Sequence, residues 1–143
     1  MFYGQSVSDT RKIFFESWGK YIAKKPLEPV EQQIVEVIKD HPEYHQMLEQ
    51  KANDERAYFP ELGETNPFLH MGLHIAIREQ VSTNRPAGIT AVYQQLVRQK
   101  TSNLEAEHAM MECLAESLWQ AQRSNSMPSE AEYLACCQKL LST

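Results

Sequence analysis

The sequence predicts an all-α protein, a single-domain helical bundle of six to seven helices that spans residues 1–143. Apolar residues recur at the helical spacing of three and four positions in six or seven segments. Runs in which apolar and polar residues alternate, which indicate strands, are absent, and only five glycines occur in the chain. A chain of 143 residues is one domain by the usual size relation and is long enough to bury a core.

The predicted helices begin at residues that favour helix starts. Asn66 followed by Pro67 is a cap residue and a first-turn proline, and Pro29 suits the first turn of an earlier helix. Ser102 and Glu105 have the spacing of a capping box. The predicted helices cover residues 8–24, 29–39, 42–51, 66–81, 88–100, 102–123 and a last segment that starts near residue 128.

Residues 52–65 have no sustained period and form the longest predicted loop. The segment contains several carboxylates and the adjacent aromatic residues Tyr58 and Phe59. Long ordered loops in compact domains are often functional, and aromatic side chains on a polar loop can anchor a protein partner. A solvated connector held in place by the two rings is the alternative interpretation.

Composition and charge disfavour several classes of function. The net charge is −5, with 42% hydrophobic and 23% charged residues, which is ordinary for a soluble globular protein. No Lys/Arg-rich face indicates a nucleic-acid partner, and no 18-residue apolar run indicates a membrane span. The first residues lack the pattern of a secretory signal. We therefore expect a cytoplasmic monomer or homodimer with no nucleic-acid or membrane partner.

His70 and His74 are the most informative residues of the sequence. They lie one helical turn apart, about 40° from each other around the helix axis, on the side that also carries Leu73 and Ile77. A buried polar group without a partner costs about 1–3 kcal/mol. The two imidazoles must therefore meet a metal ion, a carboxylate or a backbone carbonyl, and an i, i+4 pair can bind one metal ion.

The helix predicted to start at Ser102 offers a second set of ligands. Glu105, His108 and Glu112 lie within about 60° of one another, at the edge of an apolar side that we expect to include Trp119. Glu105 and His108 have the Glu-x-x-His spacing of carboxylate-bridged metal sites in four-helix bundles. A dinuclear site needs two such motifs and the chain has one, so we expect a single ion.

If these two helices are neighbours, their imidazoles and carboxylates converge. The predicted metal ligands are His70, His74, His108 and Glu112. Imidazole and carboxylate suit one divalent transition metal, zinc, nickel, iron or manganese, which could activate water or exchange small ligands. The alternative is a non-catalytic binding or adaptor module in which the His/Glu cluster is a structural polar network, with Arg78 placed to reach a carboxylate beside it.

His41 and His45 repeat the i, i+4 spacing on either side of a helix start at Pro42. Tyr44 and Met47 are expected to occupy the inward face of this short helix. We therefore interpret the two histidines as a surface or boundary pair.

The three cysteines, Cys113, Cys136 and Cys137, form no paired framework, because their number is odd and no Cys-x-x-Cys occurs. We expect three small reduced thiols on helices. A redox pair of the adjacent residues Cys136 and Cys137 is the alternative, and a ring closed by neighbouring cysteines is strained.

Two motifs cover the histidines of both helices. They are Asn66-Pro67-Phe68-Leu69-His70-Met71-Gly72-Leu73-His74 and Glu107-His108-Ala109-Met110-Met111-Glu112-Cys113-Leu114. In these motifs the chain resembles a small proteobacterial family known as domain of unknown function 1841, and the resemblance extends over nearly the whole chain. It implies a bacterial, single-domain, soluble protein. It implies no activity, because the family has no established one.

Overall fold

The computed structural model describes residues 7–49 and 66–142. The predicted loop at 52–65, with Tyr58 and Phe59, lies outside these residues. Within them the chain is all-α and no strand occurs, which confirms the predicted fold class. The helices are α1 (Val7–Ile22), α2 (Pro29–Lys39), α3 (His45–Leu48), α4 (Pro67–Thr83), α5 (Ile89–Lys100), α6 (Asn103–Arg123) and α7 (Glu130–Lys139), with short 3-10 turns at Pro42–Tyr44 and Leu140–Ser142.

The chain divides into two compact units, Met1–Ile75 and Ala76–Thr143. The boundary between the units lies inside α4, after its ninth residue. The expectation of one domain from residue 1 to 143 stays a prediction, and the units are described separately below.

The first unit is built around apolar residues of α1, α2 and the first half of α4. Glu31 fixes the start of α2, because its carboxylate accepts hydrogen bonds from the backbone N–H of Glu28 at 2.8 Å and from Lys20 Nζ at 2.7 Å. These two bonds, the Lys20 bond first, lower the pKa of Glu31. The core of this unit contains Phe14, Trp18, Ile34, Val35, Val37, Ile38, Leu48, Phe68, Met71 and Ile75.

The second unit is held together by the packing of α5, α6 and α7. Ser102 caps α6, since its hydroxyl accepts the Glu105 N–H at 3.2 Å, which confirms that half of the predicted capping box. Gly88 precedes α5 with φ of 102°, a left-handed conformation that favours glycine. The buried apolar residues of this unit are Ala76, Ile77, Ile89, Val92, Leu96, Ala106, Met110, Met111, Cys113, Leu114, Ala121, Tyr133 and Cys137.

The apolar side of α6 differs from the one predicted. Ala106, Met110 and Leu114 are buried, whereas Trp119 is 51% exposed. The Arg123 guanidinium lies over the Trp119 ring, with its carbon 4.6 Å from the ring centre. The prediction for Trp119 was wrong because residue spacing gives relative angles on a helix but does not say which side meets the core. The exposed indole is partly covered by a cation–π contact instead.

The cysteines also differ from the expectation of three thiols. Cys113 of α6 and Cys136 of α7 form a disulfide, and Cys137 is a buried free thiol. The adjacent pair is therefore not the bonded pair. The interpretation was wrong because the packing of α6 against α7, which the sequence does not specify locally, brings the first two cysteines together.

No helix among the described residues is both long enough and apolar enough to cross a bilayer.

Candidate metal centre

His70 and His74 lie in the first half of α4, whose start is fixed by Asn66. The Asn66 side-chain oxygen accepts the backbone N–H groups of Phe68 at 2.9 Å and Leu69 at 3.3 Å, which confirms the predicted cap. From this start the helix places the two imidazoles on one face, with ring centres 4.8 Å apart. His74 is fully buried and His70 is partly exposed.

The Nε2 atoms of His70 and His74 are 3.2 Å apart. Two nitrogens bound to one tetrahedral ion at about 2.0–2.1 Å are separated by about 3.3 Å. The two rings are therefore already spaced as a metal chelate requires. The same contact is a hydrogen bond when one of the two nitrogens carries a proton.

His41 is the third member of this group, and the interpretation of His41 as a surface or boundary residue was wrong. Its ring is 4% exposed, and its centre lies 5.1 Å from that of His70 and 4.8 Å from that of His74. A ring nitrogen of each of the three residues lies within 4.8 Å of one from each of the others. We call His41, His70 and His74 the histidine cluster.

The orientation of His41 is set by the end of α2. Its Nδ1 lies 2.7 Å from the Val37 carbonyl oxygen, which only accepts, so Nδ1 carries the proton and donates. In the neutral ring the Nε2 lone pair then remains for a ligand. A histidine whose second nitrogen donates to a backbone carbonyl is the usual arrangement of a metal-binding imidazole.

Tyr44 and His45 surround this cluster without joining it. The Tyr44 ring stacks on that of His41 at 5.5 Å with an angle of 6°, which restricts rotation of the imidazole. His45 Nε2 donates to the Ile38 carbonyl oxygen at 2.8 Å, and its ring packs on Trp18 at 4.5 Å. Only one member of the His41/His45 pair is therefore a candidate ligand.

The other two predicted ligands, His108 and Glu112, belong to the second unit. His108 is partly buried, and its Nδ1 lies 3.6 Å from Glu105 Oε1, so this part of the predicted Glu-x-x-His motif is in contact. Glu112 is exposed. Their convergence with His70 and His74 on one ion stays a prediction.

Arg78, in the second half of α4, reaches a carboxylate, which is that of Glu107 in α6. Its Nε lies 3.2 and 3.1 Å from the two oxygens of Glu107, whose side chain is 4% exposed. Tyr93 lies in the same environment, where burial first and the Glu107 charge second raise its pKa. This ion pair joins the second half of α4 to α6 within the second unit.

The donor set of the histidine cluster determines which ligand it can take. Three imidazoles are borderline ligands that suit zinc, iron, nickel and copper, whereas magnesium and calcium prefer oxygen. Metal ions bind the neutral form of imidazole, and two of the three rings, those of His41 and His74, are buried. The partly exposed His70 gives the cluster a route to solvent.

Comparison with known proteins identifies the family. A family model described as "Domain of unknown function (DUF1841)" matches residues 6–139, nearly the whole chain. The chain belongs to the DUF1841 family. This confirms the resemblance drawn from the two motifs, and the family description transfers no activity to the DUF1841 protein. No curated protein and no solved structure matches it.

Proposed function

We propose that the DUF1841 protein binds one divalent transition metal ion through its histidine cluster, with His41, His70 and His74 as ligands. The observation that carries the proposal is the 3.2 Å separation of the His70 and His74 Nε2 atoms beside a third, buried imidazole. Zinc, nickel and iron are the preferred candidates. Manganese, which favours oxygen ligands, suits an imidazole set less well.

The residues that contact His41 support this proposal. The Val37 carbonyl holds the His41 tautomer, and Tyr44 restricts its ring, so little reorganisation is needed on binding. A bound ion would supply Lewis-acid polarisation of a small ligand at the histidine cluster. We further propose that the protein works in the cytoplasm, as expected from its sequence.

Metal content tests the proposal directly. Protein purified without a histidine tag is analysed for transition metals, then stripped and titrated with zinc, nickel and ferrous iron. We expect about one equivalent per chain. At a hundred times the dissociation constant, the bound ion should add about 2.7 kcal/mol of stability and raise the Tm by about 8 °C.

A matched pair of variants shows whether the cluster holds the ion. His70→Gln should abolish the stoichiometric binding, whereas His45→Gln, which changes a histidine of the same region outside the cluster, should keep it. Loss of binding in both variants, or in neither, contradicts the assignment. His108→Gln and Glu112→Gln, titrated in the same way, test the predicted ligands of α6.

A structural role for the cluster is the second candidate, and the hydrogen-bonded geometry favours it. The His70–His74 contact and the His41–Val37 bond give each of the three rings a hydrogen-bond partner without an ion. The protein would then be a non-catalytic binding or adaptor module. In that case His70→Gln lowers stability, and the wild-type Tm does not change when metal is added.

A further inference from the structure

A disulfide crosses the interface of α6 and α7 in the second unit, away from the histidine cluster in sequence. Cys113 lies in the middle of α6 and Cys136 lies in α7. The two bonded residues are 23 positions apart in the sequence. Other contacts also hold α7 in the second unit. Tyr133 and Cys137 of α7 are buried, and the Tyr133 hydroxyl donates to Gln80 Oε1 at 2.5 Å.

The two bonded cysteine residues differ in burial. Cys113 is 4% exposed and belongs to the core of the second unit, whereas Cys136 is only partly buried. Thiol–disulfide exchange requires an external thiolate to approach one of the two sulfurs, so access decides which is attacked. The residue open to attack is Cys136, and Cys113 is the leaving thiolate.

The third cysteine, Cys137, does not take part in thiol–disulfide exchange, although it is adjacent to Cys136 in sequence. Cys137 is fully buried, and burial raises the pKa of its thiol to about 11, against the weaker opposite effect of a hydrogen bond with Tyr133. At pH 7 such a thiol is ionised in roughly one molecule in ten thousand. Because the thiolate is the reactive form, Cys137 is protected from exchange and oxidation.

We propose that the Cys113–Cys136 disulfide is a reversible redox link between α6 and α7, and that Cys136 is its modification site for small thiols such as glutathione. A glutathione thiolate attacks Cys136 Sγ, and the Cys113 thiolate leaves and takes up a proton. A second glutathione thiolate then attacks the glutathione sulfur, which releases Cys136. The products are oxidised glutathione and two protein thiols, and oxidised glutathione drives the reverse reaction.

The mixed disulfide identifies the attacked sulfur in the unmodified protein. The oxidised chain is treated briefly with reduced glutathione, quenched with an alkylating agent and mapped by peptide mass spectrometry. We expect glutathione on Cys136, alkylation of Cys113 and no label on Cys137 in the folded state. The fully reduced protein should remain helical and melt roughly 10 °C lower than the oxidised protein.

Three single variants separate the roles of the cysteines. With oxidised glutathione, Cys113→Ser should be modified at Cys136 at least about ten times faster than Cys136→Ser is modified at Cys113. Cys137→Ser is the matched control and should form the disulfide as the wild type does. Circular dichroism of each variant establishes that it is folded before the rates are compared.

Two results would overturn this proposal. One is a wild-type protein that keeps three alkylatable thiols after equilibration with oxidised glutathione, since the disulfide would then not form. The other is glutathione found mainly on Cys113 or Cys137 of the folded protein. Neither result depends on metal, because all samples are prepared in a chelator, so the metal proposal stands or falls separately.

Discussion

Replacing Arg78 by methionine removes a guanidinium from beside the buried carboxylate of Glu107 while keeping most of the side-chain volume. Breaking a buried ion pair by removing one partner costs about 3–5 kcal/mol. Here Arg78 Nε contacts both oxygens at 3.1 and 3.2 Å, but its side chain is 28% exposed, so solvent screens part of the attraction. We therefore expect Arg78→Met to lower the free energy of unfolding by about 3 kcal/mol, at the lower end of that range.

Urea unfolding followed by circular dichroism measures this loss, as a lower midpoint with an unchanged slope. The double variant Arg78→Met/Glu107→Leu is the control. It removes both charges and should recover most of the lost stability. A loss below about 1 kcal/mol for Arg78→Met, or a double variant no more stable than the single one, would refute the view that Arg78 compensates the buried charge of Glu107.

Three further outcomes follow from local contacts. Ser102→Ala removes the cap bond to the Glu105 N–H and should cost about 1 kcal/mol in urea unfolding, whereas Ser102→Asp should not. The hydrogen bond from Lys20 lowers the pKa of Glu31 below its ordinary value of 4.5. The pair therefore stabilises the fold fully at pH values above 4.5, and this stabilisation is lost as the pH falls through the lowered pKa. Glu31→Gln should flatten the acid branch of a curve of unfolding free energy against pH. Gly19 is exposed within α1, and a Cβ added there would meet no described atom within 4 Å. Gly19→Ala should therefore raise the free energy of unfolding by about 0.5–1 kcal/mol. An unchanged urea midpoint would contradict this.

Features that depend on neighbours in sequence were predicted well. Asn66 followed by Pro67 marked the start of α4, and Ser102 marked that of α6, because caps satisfy backbone N–H groups only two or three residues away. The spacing of His70 and His74 likewise predicted their contact, since both belong to one helix. In each case the geometry of a single turn decides the result.

Features that depend on packing between helices were predicted less well. His41 enters the histidine cluster from the turn between α2 and the 3-10 segment, where its ring bonds back to Val37, and a helical angle has no meaning there. Glu107 is buried because Arg78 approaches it from another helix. A glutamate with no charged partner near it in sequence is expected at the surface, since charged residues are seldom buried unless paired.

The two tryptophans of the chain occupy opposite environments, one in each unit. Trp18 is 5% exposed in the first unit, whereas Trp119 is 51% exposed in the second. Their fluorescence should therefore separate into a short-wavelength component shielded from aqueous quenchers and a long-wavelength component open to them. The Trp119→Phe variant would leave Trp18 as an intrinsic optical probe of the unit that contains the histidine cluster.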